Sequence, residues 1–244
     1  MMRKFGLIGY PLSHSFSKKY FTEKFEREDI RDCIYELYPL RDITELPGLI
    51  ERENLEGINI TIPYKKAVLP YLSSLSDEVS AIQACNCISF KHGQSIGYNT
   101  DTIGFRRTFE THLQPHHAKA LILGTGGASL AVAFTLQQLN IDFLFVSRSA
   151  GANNTIAYED INASILNAYF IIINTTPLGT YPEVHQFPPL PYEMLNSNHY
   201  LYDLVYNPAE TLFLKKGKQQ GVTFENGAEM LIIQAEESWK IWNK

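Results

Sequence analysis

Leu121-Ile122-Leu123-Gly124-Thr125-Gly126-Gly127-Ala128-Ser129-Leu130-Ala131-Val132 is the stretch on which the fold is read. The three apolar residues at its start make a short buried strand. The glycines make a tight turn, and the small residues of 128–139 continue as a helix. Strand, glycine turn and helix in that order aim unpaired backbone N–H groups and the positive end of the helix dipole at a pyrophosphate. Gly124 and Gly126 fill the first two positions of a GxGxxG signature, Gly127 adds a third glycine early, and Ser129 stands at the usual last position. With Thr125 between the glycines and Ala128 opening the helix, 124–128 is the expected phosphate turn of a dinucleotide-binding domain.

The next strand, 143–146, ends in Ser147-Arg148-Ser149. An NAD site usually places a carboxylate there for the ribose hydroxyls. Two hydroxyls and a guanidinium suit a 2′-phosphate instead, since arginine pairs with phosphate bidentately. The expected cofactor is therefore NADP. Further apolar runs at 169–174, 200–205 and 222–224 read as the remaining strands of this domain, and 228–242 as an amphipathic helix.

Upstream, strands are expected at 5–9, 33–37 and 58–60, with helices at 16–28, 43–53 and 65–72 between them. This alternation predicts a mostly parallel sheet with crossover helices. Residues 84–90 and 95–99 read as a hairpin turning at His92-Gly93-Gln94. The fold class is thus α/β with two α/β domains, one over 1–101 and a Rossmann-type domain over 102–226.

The chain has 244 residues, 45% of them hydrophobic and 19% charged, with a formal net charge of −5. That composition belongs to an ordinary soluble globular protein, and the charge argues against nucleic acid as the main partner. No segment reaches the ~20 apolar residues that span a bilayer, and the N-terminus carries no apolar run of signal-peptide length. A cytoplasmic protein is expected. Cys33, Cys85 and Cys87 are odd in number and read as buried thiols, with Cys85 and Cys87 on one face of a strand. His112, His116 and His117 surround Gln114-Pro115 and read as a solvated connector; no metal site is expected.

Two polar motifs precede the glycine turn: Asn59-Ile60-Thr61-Ile62-Pro63-Tyr64-Lys65 and Gly97-Tyr98-Asn99-Thr100-Asp101. They supply an ionisable pair, Lys65 and Asp101, with amides and hydroxyls to surround a polar substrate. Together with Gly9-Tyr10-Pro11-Leu12-Ser13-His14-Ser15-Phe16-Ser17, Asn174-Thr175-Thr176-Pro177-Leu178-Gly179, residues 203–208, Asn226-Gly227 and Met230-Leu231 with Gln234, the chain resembles the shikimate dehydrogenase family nearly end to end.

The resemblance implies NADPH-dependent reduction of 3-dehydroshikimate to shikimate, on the route to chorismate and the aromatic amino acids. It makes Lys65 the acid/base group and Asp101 its charged partner. Ser15 and Ser17 correspond to the pair that holds the substrate carboxylate; Thr61, Asn86, Tyr206 and Gln234 correspond to further substrate contacts. Leu204 and Gly227 map near the nicotinamide. Gln234 on the last helix implies that the chain returns to its first domain, so that 227–244 completes a substrate-binding catalytic domain over 1–101, and the protein is expected to be a monomer or homodimer. Three residues depart from the family pattern: Lys18 stands for proline, Cys87 for threonine and Ser147 for asparagine. The competing readings are an NAD-using quinate/shikimate dehydrogenase, a non-catalytic NADP-binding regulator that would be expected to lose Lys65 or Asp101, and a reductase of another polyol.

Overall fold

The computed structural model describes residues 2–12, 15–151 and 154–244, so Ser13 and His14 of the first motif lie outside the described residues. Two compact units are formed: Met1–Thr100 with Gln234–Lys244, and Asp101–Ile233. Asp101 and residues 227–233, grouped with the first domain in the sequence, pack within the second unit.

The first unit contains β1 (Arg3–Gly9), α1 (Phe16–Arg27), β2 (Cys33–Pro39), α2 (Leu46–Glu53), β3 (Gly57–Ile60), α3 (Tyr64–Ala67), β4 (Ser74–Leu75), α4 (Asp77–Ile82), β5 (Cys87–Lys91) and β6 (Gln94–Tyr98). The sheet order is β2-β1-β3-β5-β6-β4. β1, β2 and β3 run parallel, while β5 is antiparallel to both β3 and β6. His92 and Gly93, both at positive φ, close the β5–β6 hairpin, as a two-residue turn of matching twist requires. One face of the sheet buries Ile8, Leu46, Leu49, Ile58, Val68 and Ile88. The other buries Phe5, Leu7, Phe21 and Tyr35 against Ala235 and Trp242 from the C-terminus. Trp242 is keyed in place by its indole N–H, which donates to the Ile88 carbonyl at 2.9 Å. Gly57 makes room for it, since a Cβ there would lie 2.2 Å from the indole nitrogen.

The second unit continues with α5 (Asp101–Phe109), β7 (Lys119–Leu123), α6 (Gly127–Gln138), β8 (Asp142–Ser147), β9 (Thr155–Ala157), α7 (Ala163–Leu166), β10 (Ile171–Asn174), β11 (Tyr200–Asp203), α8 (Leu212–Gln219), β12 (Thr223–Asn226) and α9 (Ala228–Trp242), whose last residues belong to the first unit. Its sheet order is β12-β11-β10-β7-β8-β9, and every pairing is parallel. The order reverses between β7 and β10, which is the doubly wound Rossmann arrangement; ligands bind beyond the strand C-termini at that switch point. Four central strands are nearly continuous apolar runs because both faces are covered. Phe105, Phe109, Val132, Leu136 and Tyr202 pack on one side, and Leu121, Leu201, Phe213 and Leu214 on the other.

Two details of the sequence reading change. β5 begins at Cys87, so strand alternation does not reach Cys85, and the two thiols join different faces of the core. The histidine segment is not simply solvated. His117 is buried, and its ring and that of His116 both meet the Asn198 carbonyl, at 3.0 and 3.1 Å. Among the described residues no cluster of metal-ligating side chains occurs and no helix is long and apolar enough to cross a membrane.

Candidate functional site

In the first unit, parallel strands β1 and β3 end at Gly9 and Ile60. The antiparallel register sets Asn59 opposite Cys87 and Cys87 opposite Tyr98. The start of β5 and the end of β6 therefore lie at the same edge as the ends of β1 and β3. Thr61, Lys65, Asn86 and Thr100 all leave the sheet there. Backbone bonds stitch these loops together: Tyr10 N–H to the Ile62 carbonyl at 3.1 Å, Ile60 N–H to Asn86 at 2.9 Å, and Cys85 N–H to Lys65 at 2.8 Å. Lys65 is half-buried in the first turn of α3. Asp101 is buried and starts α5 directly after Thr100.

Behind these loops lies a buried network of neutral groups. The Tyr35 phenol bonds Ser17 and donates to Asn59 Oδ1 at 2.9 Å. Asn59 Nδ2 donates to Ser238 Oγ at 2.9 Å and to the Asn86 carbonyl at 3.2 Å. The Ser238 and Thr100 hydroxyls stand 3.2 Å apart. Asn86 grips Thr100 twice, accepting from its N–H at 2.7 Å and donating to its Oγ1 at 3.0 Å. Ser238 also donates to the Gln234 carbonyl at 2.9 Å, one helical turn back. Burial holds the Tyr35 phenol well above its ordinary pKa, so the network carries no charge.

Of the expected substrate contacts, Ser17 and Asn86 meet in one network, which Gln234 joins through its backbone carbonyl. Ser15 caps α1, its hydroxyl accepting from the Lys18 N–H at 3.4 Å. Thr61 accepts the Tyr64 N–H at 2.9 Å through its carbonyl, closing the turn into α3. Tyr35 and Ser238 carried no signal in the sequence, and Thr100 only its place in the motif ending at Asp101. Only the i,i+4 spacing of Gln234 and Ser238 pointed to a shared helix face.

In the second unit, a cavity of about 490 Å³ opens beyond the C-termini of β7, β8 and β10. Gly124, Thr125, Ser147, Arg148, Ser149, Tyr158, Thr176 and Leu178 are among the residues that line it. Gly124 has φ +103°, a conformation glycine adopts freely. Gly126, the N-cap of the twelve-residue α6, faces open space where a Cβ would meet nothing. Gly127 is the first residue of that helix and Ala128 the second. Ser147 donates to the Ser149 carbonyl at 2.5 Å, shaping the turn that presents Arg148 to solvent. Among the described residues Arg148 is the one cation in the cavity wall. A glycine turn at a helix N-terminus, an open cradle above Gly126 and a guanidinium on the rim fit a dinucleotide carrying an extra phosphate.

Next to this cavity Asp203, at the end of β11, is fully enclosed. Burial pushes its carboxyl up to about 6, although bonds from Thr211, Val205 and Asn174 favour the charged form. Leu204 and half-buried Tyr206 follow it on the loop. Gly227 packs under that loop: a Cβ there would fall 2.3 Å from the Leu204 carbonyl oxygen.

Residues 7–88 match the family model of the shikimate dehydrogenase substrate-binding domain. The chain is 34% identical to the shikimate dehydrogenase (NADP(+)) of Methanosphaera stadtmanae, over 97% of this chain and 90% of that one. It is 35% identical to the enzyme of the same name from Carboxydothermus hydrogenoformans, with the same coverage. Among solved structures, a shikimate dehydrogenase in complex with NADP+ superposes with a TM-score of 0.87 at 30% identity, covering 99% of this chain and 90% of that one. The Thermus thermophilus enzyme in complex with NADP(H) and shikimate gives 0.86 at 28% identity, covering 99% and 93%. The chain belongs to the shikimate dehydrogenase family.

Proposed function

We propose that this protein is an NADP-dependent shikimate dehydrogenase, reducing 3-dehydroshikimate to shikimate in the pathway to chorismate and the aromatic amino acids. The observation that carries this is the pairing of an Arg148-rimmed glycine-turn cavity in one unit with a neutral, hydroxyl- and amide-rich strand edge around Lys65 in the other.

NADPH, when bound, supplies the hydride. The turn 124–128 would hold its pyrophosphate, Arg148 with Ser147 and Ser149 would meet the 2′-phosphate, and Leu204 and Gly227 would border the nicotinamide. Reduction of a ketone leaves negative charge on its oxygen, and the chain must deliver one proton there. Lys65 is that donor; its ammonium gives up a proton as the alkoxide forms and regains one from solvent. Asp101 orients the lysine and a substrate hydroxyl. Ser15, Ser17, Thr61, Asn86, Tyr206 and Gln234 bind the carboxylate and hydroxyls, a task suited to neutral hydrogen-bonding groups because the substrate carries only one charge. The protein works in the cytoplasm as a monomer or homodimer, with a small-molecule partner and neither nucleic acid nor membrane.

The test is nicotinamide absorbance with purified protein, shikimate or quinate, and NADP or NAD. Rapid reduction of NADP by shikimate is expected. A protein that binds NADP yet turns over neither acid would refute the proposal, and preference for quinate with NAD would replace it with the quinate enzyme.

A further inference from the structure

The parallel register of β10 and β11 sets Asn174 directly beside Asp203. Their side chains meet, with Asn174 Nδ2 donating to Asp203 Oδ1 at 2.9 Å. The same oxygen accepts the Val205 N–H at 3.0 Å, and Oδ2 accepts the Thr211 hydroxyl at 2.6 Å. Asn174 then turns its own oxygen outward, accepting from the Thr176 N–H at 3.0 Å and the Thr176 hydroxyl at 2.6 Å. Thr176 Oγ1 in turn accepts the Leu178 N–H at 3.3 Å. One buried carboxylate thus anchors two loops. Through Asn174 it sets the 175–178 segment, where Thr176 and Leu178 wall the cavity. Through the Val205 N–H it sets the loop bearing Leu204 and Tyr206.

We propose that Asp203 is a positioning residue for the cofactor, acting through Asn174 on Thr176 and through the Val205 N–H on Leu204, so that both walls of the nicotinamide-cofactor site share one anchor. This rests on the assignment of the cavity to NADP. An enclosed carboxylate is costly for a fold to keep, and a merely structural role would be met by apolar packing of similar volume. Its three bonds lead to the 175–178 wall of the cavity, to the Leu204 loop and to the Thr211 cap of α8, which explains why the charge is retained. Charge-assisted bonds are also the stronger kind, suited to holding loops that must not drift when a ligand leaves.

The experiment measures NADPH dissociation constants by nicotinamide fluorescence, with no turnover involved, for the wild type, Asp203→Ala, Asp203→Asn, Thr176→Val and both Thr176→Val double variants. Asp203→Ala is expected to weaken NADPH binding about tenfold or more, the scale of coupling within one hydrogen-bond network. Asp203→Asn keeps an oxygen for Asn174 and Val205 but gives up the charge-assisted bonds, and should recover only part of that loss. If Asp203 acts through Thr176, each double variant should bind NADPH markedly better than the product of the single effects predicts. Folded Asp203→Ala binding within twofold of wild type, or fully multiplicative doubles, would overturn the proposal. Should the alanine variant not fold, the Asp203→Asn/Thr176→Val cycle decides it by the same criterion. Failure of the wild type to bind NADPH would instead strike at the cofactor assignment itself.

Discussion

The strand ends of the first unit are held by a neutral network, whereas those of the second are held by a carboxylate. Tyr35, Asn59, Asn86, Thr100 and Ser238 satisfy one another with no group that titrates in any ordinary range. Asp203 sits equally deep, yet it loses its charge near pH 6. A fully satisfied neutral network adds rigidity at little desolvation cost, because no ion is taken out of water. A buried carboxylate costs more, but it can accept several bonds at once and so anchor more than one loop. The first arrangement suits a wall that shapes a polar substrate site. The second suits a hub from which two loops are set.

The comparison is tested most severely at Lys65, in the first turn of α3 beside the neutral wall. Lys65→Ala is expected to lower kcat by about 10²- to 10⁴-fold, the usual contribution of a positioned acid–base group. Its thermal midpoint should stay near that of the wild type, since the bond from the Cys85 N–H to Lys65 runs to the backbone carbonyl and survives loss of the side chain. Steady-state kinetics and a melting curve on one preparation check both. Near-normal turnover would remove Lys65 from the chemistry, and a collapsed midpoint would mean that the wall depends on it.

Asn59→Ala attacks the wall itself. It strips the Tyr35 hydroxyl of its acceptor and Ser238 of a donor, both deep in the unit. The orphaned Tyr35 hydroxyl costs about 1–3 kcal/mol, while Ser238 keeps its bonds to Gln234 and Thr100, so a loss of about 2 kcal/mol is expected from urea unfolding. A loss below about 1 kcal/mol would show that water or a neighbour replaces the amide, and that the neutral network is looser than its bond lengths suggest.

Much of this was legible in the residues, and the gaps have physical causes. The glycine turn, the strands either side of it and the last helix at 228–242 could be read because pattern and turn chemistry agree there. α8 escaped because Gly217 interrupts its pattern; the glycine is needed because a Cβ would come 2.2 Å from Leu201. α5 was hidden because only Asn99 and Thr100 separate it from β6 and it starts at Asp101, inside the polar motif. β9 is three residues long and is joined to β8 by residues 148–154 alone, well short of the dozen or so residues that usually carry a parallel crossover. The polar motifs themselves stood out, but their partners did not. Nothing in sequence distance tells that Asn59 reaches Ser238 or that Asn174 reaches Asp203; sheet register makes the second contact and the return of α9 makes the first.

The smallest effect separates the two networks by pH. In the unfolded chain Asp203 titrates near ~3.9, while the folded value is raised to about 6. A raised value means that folding favours the protonated form, so its contribution to stability is fully present below the unfolded value and falls as pH rises through 6. Asp203→Asn has no such dependence. Wild-type stability relative to this variant should therefore decline by about 1 kcal/mol between pH 5 and pH 7 and then level off. Asn59→Ala compared with wild type over the same range should show a constant difference, because no member of its network changes charge. Urea unfolding of the three proteins at each pH reads both slopes. A flat or rising difference for Asp203→Asn would mean that the three bonds to the carboxylate outweigh its burial, leaving the second anchor as insensitive to pH as the first.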